Sequence, residues 1–126
     1  MKLQDLCAKI GTFLSEHPDY IAFKIGKTKD IEARKEEPDY KAEGYQFIWH
    51  LLSGQPEDVS YAENYLEKYF MNNSLYNGRC QNNRIGGGSD EADKVYIVLK
   101  KMNFTINDVY NDETLIDKSL PANIDR

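Results

Sequence analysis

With 126 residues, two cysteines far apart and a formal charge of -5, the chain is sized for one domain with a core of its own and no disulfide staple. The acidic balance argues against broad binding to duplex DNA, whose non-specific affinity comes from Lys and Arg neutralising phosphates. It leaves room for a local basic site, or for an acidic face that engages a protein partner. Cys7 and Cys80 belong to no C-x-x-C pair and His17 and His50 have no ligand spacing, so neither a zinc centre nor a thiol nucleophile is indicated. Asp5 and Lys9 interrupt residues 1–14, so no signal peptide or membrane span is expected and a reduced, cytoplasmic setting is.

Leu3, Leu6, Cys7, Ile10, Phe13 and Leu14 recur at helical spacing and predict an amphipathic first helix that stops before His17-Pro18. Its apolar face suits the domain core, and equally a contact in a homodimer. From Tyr20 the period changes to two, with Ile21, Phe23 and Ile25 on one face of a strand and Tyr20, Ala22 and Lys24 on the other. A short polar helix follows from Asp30, its expected N-cap, and ends before Pro38. Residues 45–52 read as a second strand, with Tyr45, Phe47, Trp49 and Leu51 on one face, and its apolar character suits the centre of a sheet.

Residues 58–71 give the clearest helix, with Val59, Ala62, Tyr65, Leu66, Tyr69 and Phe70 forming its apolar stripe. Glu63 sits at the edge of that stripe and Glu67 one turn further on, so the two carboxylates can border a cleft. The spacing of Tyr61, Tyr65 and Tyr69, and Tyr76 beyond them, points to core packing more than to base stacking. A loop over 72–93, rich in Asn and Gly, is long for a connection and leads to a third strand over 94–101. Val95, Ile97 and Leu99 face inward on that strand, and Tyr96, Val98 and Lys100 face the other way. Thr105 and Asp108 form a capping box for a short helix reaching Tyr110. The expected organisation is one α+β domain over 1–111, a small mainly antiparallel sheet of about three strands flanked by helices, with a weakly ordered tail over 112–126.

Two segments carry chemistry. In Phe23-Lys24-Ile25-Gly26-Lys27-Thr28 an apolar run breaks at Gly26 and restarts at Asp30. Strand, tight turn and helix in that order aim Arg34 back towards the strand end. A guanidinium keeps its charge at working pH and its planar fork matches phosphate oxygens, whereas an ordinary exposed helix Arg would pair with Asp30 or Glu37. The second segment is Asn82-Asn83-Arg84-Ile85-Gly86-Gly87-Gly88-Ser89. Consecutive glycines let successive N–H groups converge on an anion, with Arg84 and Ser89 completing such a nest; the plainer reading is a flexible connector.

The stretch Lys24-Ile25-Gly26-Lys27-Thr28, with Arg34 on the following helix, resembles the second signature of the GIY-YIG nuclease superfamily, in which Tyr-Ile-Gly, often with Lys-Thr, leads into a helix with a catalytic Arg. The resemblance spans roughly residues 20–70 and implies three roles. Arg34 stabilises charge on a scissile phosphate, Glu63 in Ala62-Glu63-Asn64-Tyr65-Leu66 holds Mg²⁺ or Mn²⁺, and Asn82 or Asn83 matches a late catalytic Asn. Two departures stand beside it. No Gly-Ile-Tyr strand precedes Ile21, so a tyrosine base would come from the other end of the chain, as Tyr96 in Val95-Tyr96-Ile97-Val98. Lys24 replaces the Tyr of the second signature, which favours holding an anion over activating water.

Three functions follow as expectations. The first is a catalytically weakened domain gripping nucleotide or nucleic-acid phosphates through Lys24, Lys27, Arg34 and Arg84, with Gly26, Thr28, Gly86, Gly87, Gly88 and Ser89 also lining the ligand, sequestering it or inhibiting a host or phage factor. The second is an active metal-dependent phosphodiester hydrolase using Arg34, Tyr96, Asn83 and Glu63. The third is an acidic protein-interaction module.

Overall fold

A computed structural model describes residues 2–45, 47–76 and 78–102. The expected helix around residues 105–110 and the tail over 112–126 lie outside them. The described chain is the expected α+β arrangement, a three-stranded antiparallel sheet with helices on both faces. The elements run α1 (Leu3–Glu16), β1 (Tyr20–Thr28), α2 (Ile31–Lys35), α3 (Pro38–Glu43), β2 (Phe47–Ser53), α4 (Pro56–Met71) and β3 (Lys94–Lys101), with one 3-10 turn at Ser74–Tyr76.

Strand order is β1-β3-β2. The last of the described strands therefore fills the centre, and β2, apolar enough to suggest that place, takes an edge. The difference is physical: β3 is buried from Val95 to Leu99 on both faces, while His50 and Ser53 of β2 remain part-exposed. Apolar content marks burial, but it does not say which strand lies between the others.

One face of the sheet carries the main core. Leu6, Ile10 and Leu14 from α1 and Val59, Ala62, Leu66 and Phe70 from α4 pack on Phe23, Ile25, Ile97 and Leu99. At about 1.5–3 kcal/mol for each large side chain fully buried, this layer dominates the stability of the domain. The first helix thus spends its apolar face within its own chain, where Leu6, Ile10 and Leu14 have no exposed surface.

Two irregularities correct the simple alternation. A register shift between Tyr20 and Ala22 turns Tyr20 into the main core, 1% exposed, and leaves Ile21 at the surface. A second, between His50 and Leu52, lets Leu51 and Leu52 both enter the core. The Tyr stripe of α4 is also split: Tyr61 and Tyr69 are exposed, and only Tyr65 packs partly against the core.

The opposite face is smaller and more polar. Ala22, Tyr45, Ile48, Tyr96 and Val98 cluster there, with Ile31 and Tyr40 packed against them. Asp30 caps α2 as expected, accepting from Ala33 N at 3.1 Å. Pro38 ends that helix but also opens α3 at its first position, where a missing N–H costs nothing. The charged, proline-led residues of α3 mark no element locally.

The loop after α4 runs back along the free edge of β1. Phe23 N donates to Arg79 O and Gln81 N donates to Phe23 O, both at 2.8 Å. At Ile25 a side chain takes over from backbone. Asn82 Oδ1 accepts from Ile25 N at 2.8 Å, and its Nδ2 donates to Ile25 O at 2.9 Å. The arginine before this segment anchors it, donating to the carbonyls of Leu14, His17 and Tyr20.

Candidate functional site

Where that loop leaves the edge of β1, a pocket of about 260 Å³ opens. Lys24, Gly26 and Lys27 of β1, Arg34 of α2, Tyr40 of α3, Glu63 and Glu67 of α4, and Tyr96 of β3 line it, together with loop residues 81–84 and 86–88. From Ala22 on, odd positions of β1 point to the α4 side of the sheet and even positions to the α2–α3 side, so the pocket wraps around the strand edge and draws on both.

Gly26 makes that wrapping possible. It pairs with Tyr96 across the β1–β3 ladder, and a Cβ there would collide with the Tyr96 ring and hydroxyl. Without a side chain at position 26 the Tyr96 ring lies across the strand and brings its hydroxyl to the edge. That hydroxyl lies 2.6 Å from the hydroxyl of Tyr40. Burial first, then Tyr40, hold the Tyr96 phenol well above its ordinary pKa, against a downward pull from Arg34. At neutral pH Tyr96 is a phenol, not the phenolate that a tyrosine base requires.

On the α4 side two buried carboxylates lie one helical turn apart. Glu67 is fully partnered: Oε1 accepts from Gly86 N at 3.0 Å and Oε2 from Asn82 Nδ2 at 3.1 Å. Glu63 is 2% exposed, and its Oε1 has no hydrogen-bond partner. Burial, and then the charge of Glu67, push the Glu63 carboxyl up to about 8, while Lys27 pulls it down. Burial also raises Glu67, opposed by the Gly86 N–H and the charges of Lys27 and Arg84. Lys27, 6% exposed, donates from Nζ to Ser60 Oγ at 2.8 Å.

The residues fit one hard cation through a single carboxylate. An orphaned buried oxygen on Glu63 is an acceptor lacking a donor or a metal. Among the described residues no group of three or more His, Cys, Asp or Glu side chains is arranged to hold a metal. A cation at Glu63 would therefore complete its shell with water and ligand oxygens, as Mg²⁺ commonly does.

Four cations, Lys24, Lys27, Arg34 and Arg84, face two carboxylates in this pocket. The local balance is thus opposite in sign to that of the whole chain. Arg34 pairs with Glu37 at 3.5 Å, the partner expected of an ordinary helix arginine, and also lines the pocket. Lys24 points away from the main core, as expected, and meets Glu43 at 2.8 Å. Gly86, Gly87 and Gly88 have φ of 84°, 115° and 73°, the left-handed region that lets a loop turn its backbone inward.

Most of the candidate residues converge here, Asn83 at the exposed rim. Thr28 and Ser89 do not. Thr28 Oγ1 accepts from Asp30 N at 3.1 Å and closes the turn into α2. Ser89 Oγ accepts from Glu91 N at 3.1 Å, within its own loop. Asn82 is tied to β1 and Glu67 and shapes the wall. Tyr40 was missed because it falls in a polar stretch after Pro38; its only sequence signal was an aromatic among charges. Neither cysteine competes as a nucleophile, since burial pushes the Cys7 thiol up to about 12 and raises that of Cys80.

Scans against protein-family models, curated proteins and solved structures find no match to this chain. Among the described residues no helix is long and apolar enough to cross a membrane.

Proposed function

We propose that the chain is a permuted relative of the GIY-YIG domains whose pocket grips a phosphodiester of a nucleotide or nucleic acid and, with Mg²⁺ or Mn²⁺ at Glu63, hydrolyses it. The pairing of Gly26 with Tyr96 across β1 and β3 carries this reading. It sets a tyrosine on a central strand beside Lys24-Ile25-Gly26, the neighbourhood that the absent first signature would supply, and does so from the other end of the sequence.

Each side chain has a task in that reaction. Arg34 and Arg84 neutralise non-bridging oxygens, and charge stabilisation of this kind is the largest contribution in most phosphoryl transfers. The Gly86–Gly87–Gly88 backbone forms a wall against the phosphate, held by Glu67. Glu63 would hold the cation through its free oxygen, and a cation held there would supply Lewis acidity. Tyr96, its hydroxyl at the edge of β1, orients the attacking water and receives its proton.

A second reading, a domain that holds its nucleotide intact and so sequesters it, is favoured by the protonated Tyr96 and by Lys24 in place of a tyrosine. One experiment separates the two. Purified protein, with Mg²⁺ or Mn²⁺, is incubated with single- and double-stranded DNA, RNA and cyclic nucleotides, and both binding and cleavage are followed for wild type and Glu63→Gln. Cleavage lost in the variant with binding retained supports hydrolysis. Tight binding with the ligand recovered intact supports sequestration, and no binding at low salt removes both.

A further inference from the structure

The hydrolytic reading leaves a difficulty at Tyr96. Its ring is 3% exposed and its hydroxyl is protonated, so it accepts a proton from water only if its own proton has somewhere to go. The structure offers one exit. Tyr40 reaches Tyr96 from α3, hydroxyl to hydroxyl at 2.6 Å, a short contact for two neutral oxygens. Tyr40 is itself part-exposed and lines the pocket. Its ring packs edge-on against Tyr45 and Tyr96, 6.0 and 6.3 Å between centroids, which fixes its direction.

We propose that Tyr40 is a relay residue that passes the proton of Tyr96 to solvent, so that the buried phenol serves as base without existing as a free phenolate. This rests on the hydrolytic reading above. As the oxygen of water forms its bond to phosphorus and the bond to the leaving oxygen breaks, one water proton moves to Tyr96 Oη. The Tyr96 proton passes to Tyr40 Oη, and the Tyr40 proton passes to bulk water. The leaving oxygen takes a proton from solvent, and no oxidant or reductant is involved. The charged groups acting on Tyr96 are Arg34, which favours a transient anion there, and Glu63, which when ionised opposes it. Lys24 at the same pocket adds positive charge where a second tyrosine is missing, so Tyr40 supplies from a helix the hydroxyl that position 24 lacks.

Tyr40→Phe tests the relay, keeping the ring and removing only the oxygen. Two measurements are paired. The first is steady-state cleavage with Mn²⁺: kcat should fall about 100-fold or more with KM within about twofold, the size of effect expected for loss of a general-base path. The curved dependence of rate on D₂O fraction in the wild type should become linear, a change that misplaced packing does not produce. The second needs no cleavage. With ζ-¹³C tyrosine, whose carbon frequency reports hydrogen or deuterium on the hydroxyl, exchange at Tyr96 should slow at least tenfold in Tyr40→Phe. Cleavage and exchange both unchanged would overturn the relay. Slowed exchange in a protein that cuts nothing would keep the relay and end the hydrolytic reading.

Discussion

The two faces of the sheet are built for different ends. Against α1 and α4 lie mostly hydrocarbon side chains with almost no surface left exposed, with Lys27, Glu63 and Glu67 at the margin of that layer, whereas against α2 and α3 lie a few tyrosines, a lysine and a guanidinium whose polar ends stay within reach of water. The first face spends its residues on burial. The second tolerates thin packing because Tyr96, Tyr40 and Lys24 must keep functional groups at a shared edge. Stability and chemistry are thereby partly separated across β1, whose odd residues from Phe23 on belong to one side and even residues from Ala22 on to the other; Lys27, Glu63 and Glu67 carry the chemistry round to the α4 side.

That separation can be broken from the stable side first. Leu66→Ala, in the main core, is expected to cost about 2–5 kcal/mol in urea unfolding while phosphate binding by the folded fraction is unchanged. A matching loss of affinity would mean that the faces are not independent. Gly26→Ala attacks the join between them. The new methyl overlaps the Tyr96 ring, so about 1–3 kcal/mol of overpacking is expected, together with loss of ligand binding out of proportion to the loss in stability.

Glu63 sharpens the comparison through pH. Its folded carboxyl is raised to about 8 above an unfolded value near 4.5, so the native state binds the extra proton between those limits. Its contribution to stability is full at low pH and is lost as pH rises from about 4.5 to 8, by at most ~1.4 kcal/mol per unit. Glu63→Gln should flatten that slope in paired urea titrations at pH 5 and pH 8, and Mg²⁺ or Mn²⁺ should restore wild-type stability at the higher pH. An identical slope in the variant would rule out Glu63 as its source. The smallest effect is expected at the rim. Glu43→Gln releases Lys24 from a part-exposed ion pair, changing stability by less than about 0.5 kcal/mol while tightening phosphate binding in isothermal titration.

The sequence makes some of this arrangement legible and hides the rest for identifiable reasons. Arg34 and Glu63 are visible because each sits on a helix whose local pattern fixes the direction of its side chain. Asp30 announces the start of α2 by residue type alone. The central place of β3 depends instead on pairings between distant segments, which no local period encodes. Tyr20 escapes the alternation because a single bulge inverts its side, and Leu51 and Leu52 share that cause. Tyr40 is hidden because α3 is short, charged and opened by a proline, features that also describe a loop. Thr28 and Ser89 mislead in the other direction, since hydroxyls in a turn serve its closure as readily as anion binding.

The central position of β3 also governs how the chain comes to be folded. β1 and β2 do not pair with each other, and the strand that each pairs with in the sheet follows both in sequence. During synthesis the ribosome therefore releases both helical layers and two bare strands long before the sheet can close. Folding of this domain is expected to be late, cooperative and slow for its size, with the nascent chain dependent on its helices, or on a chaperone, to keep those strands from pairing with a neighbour.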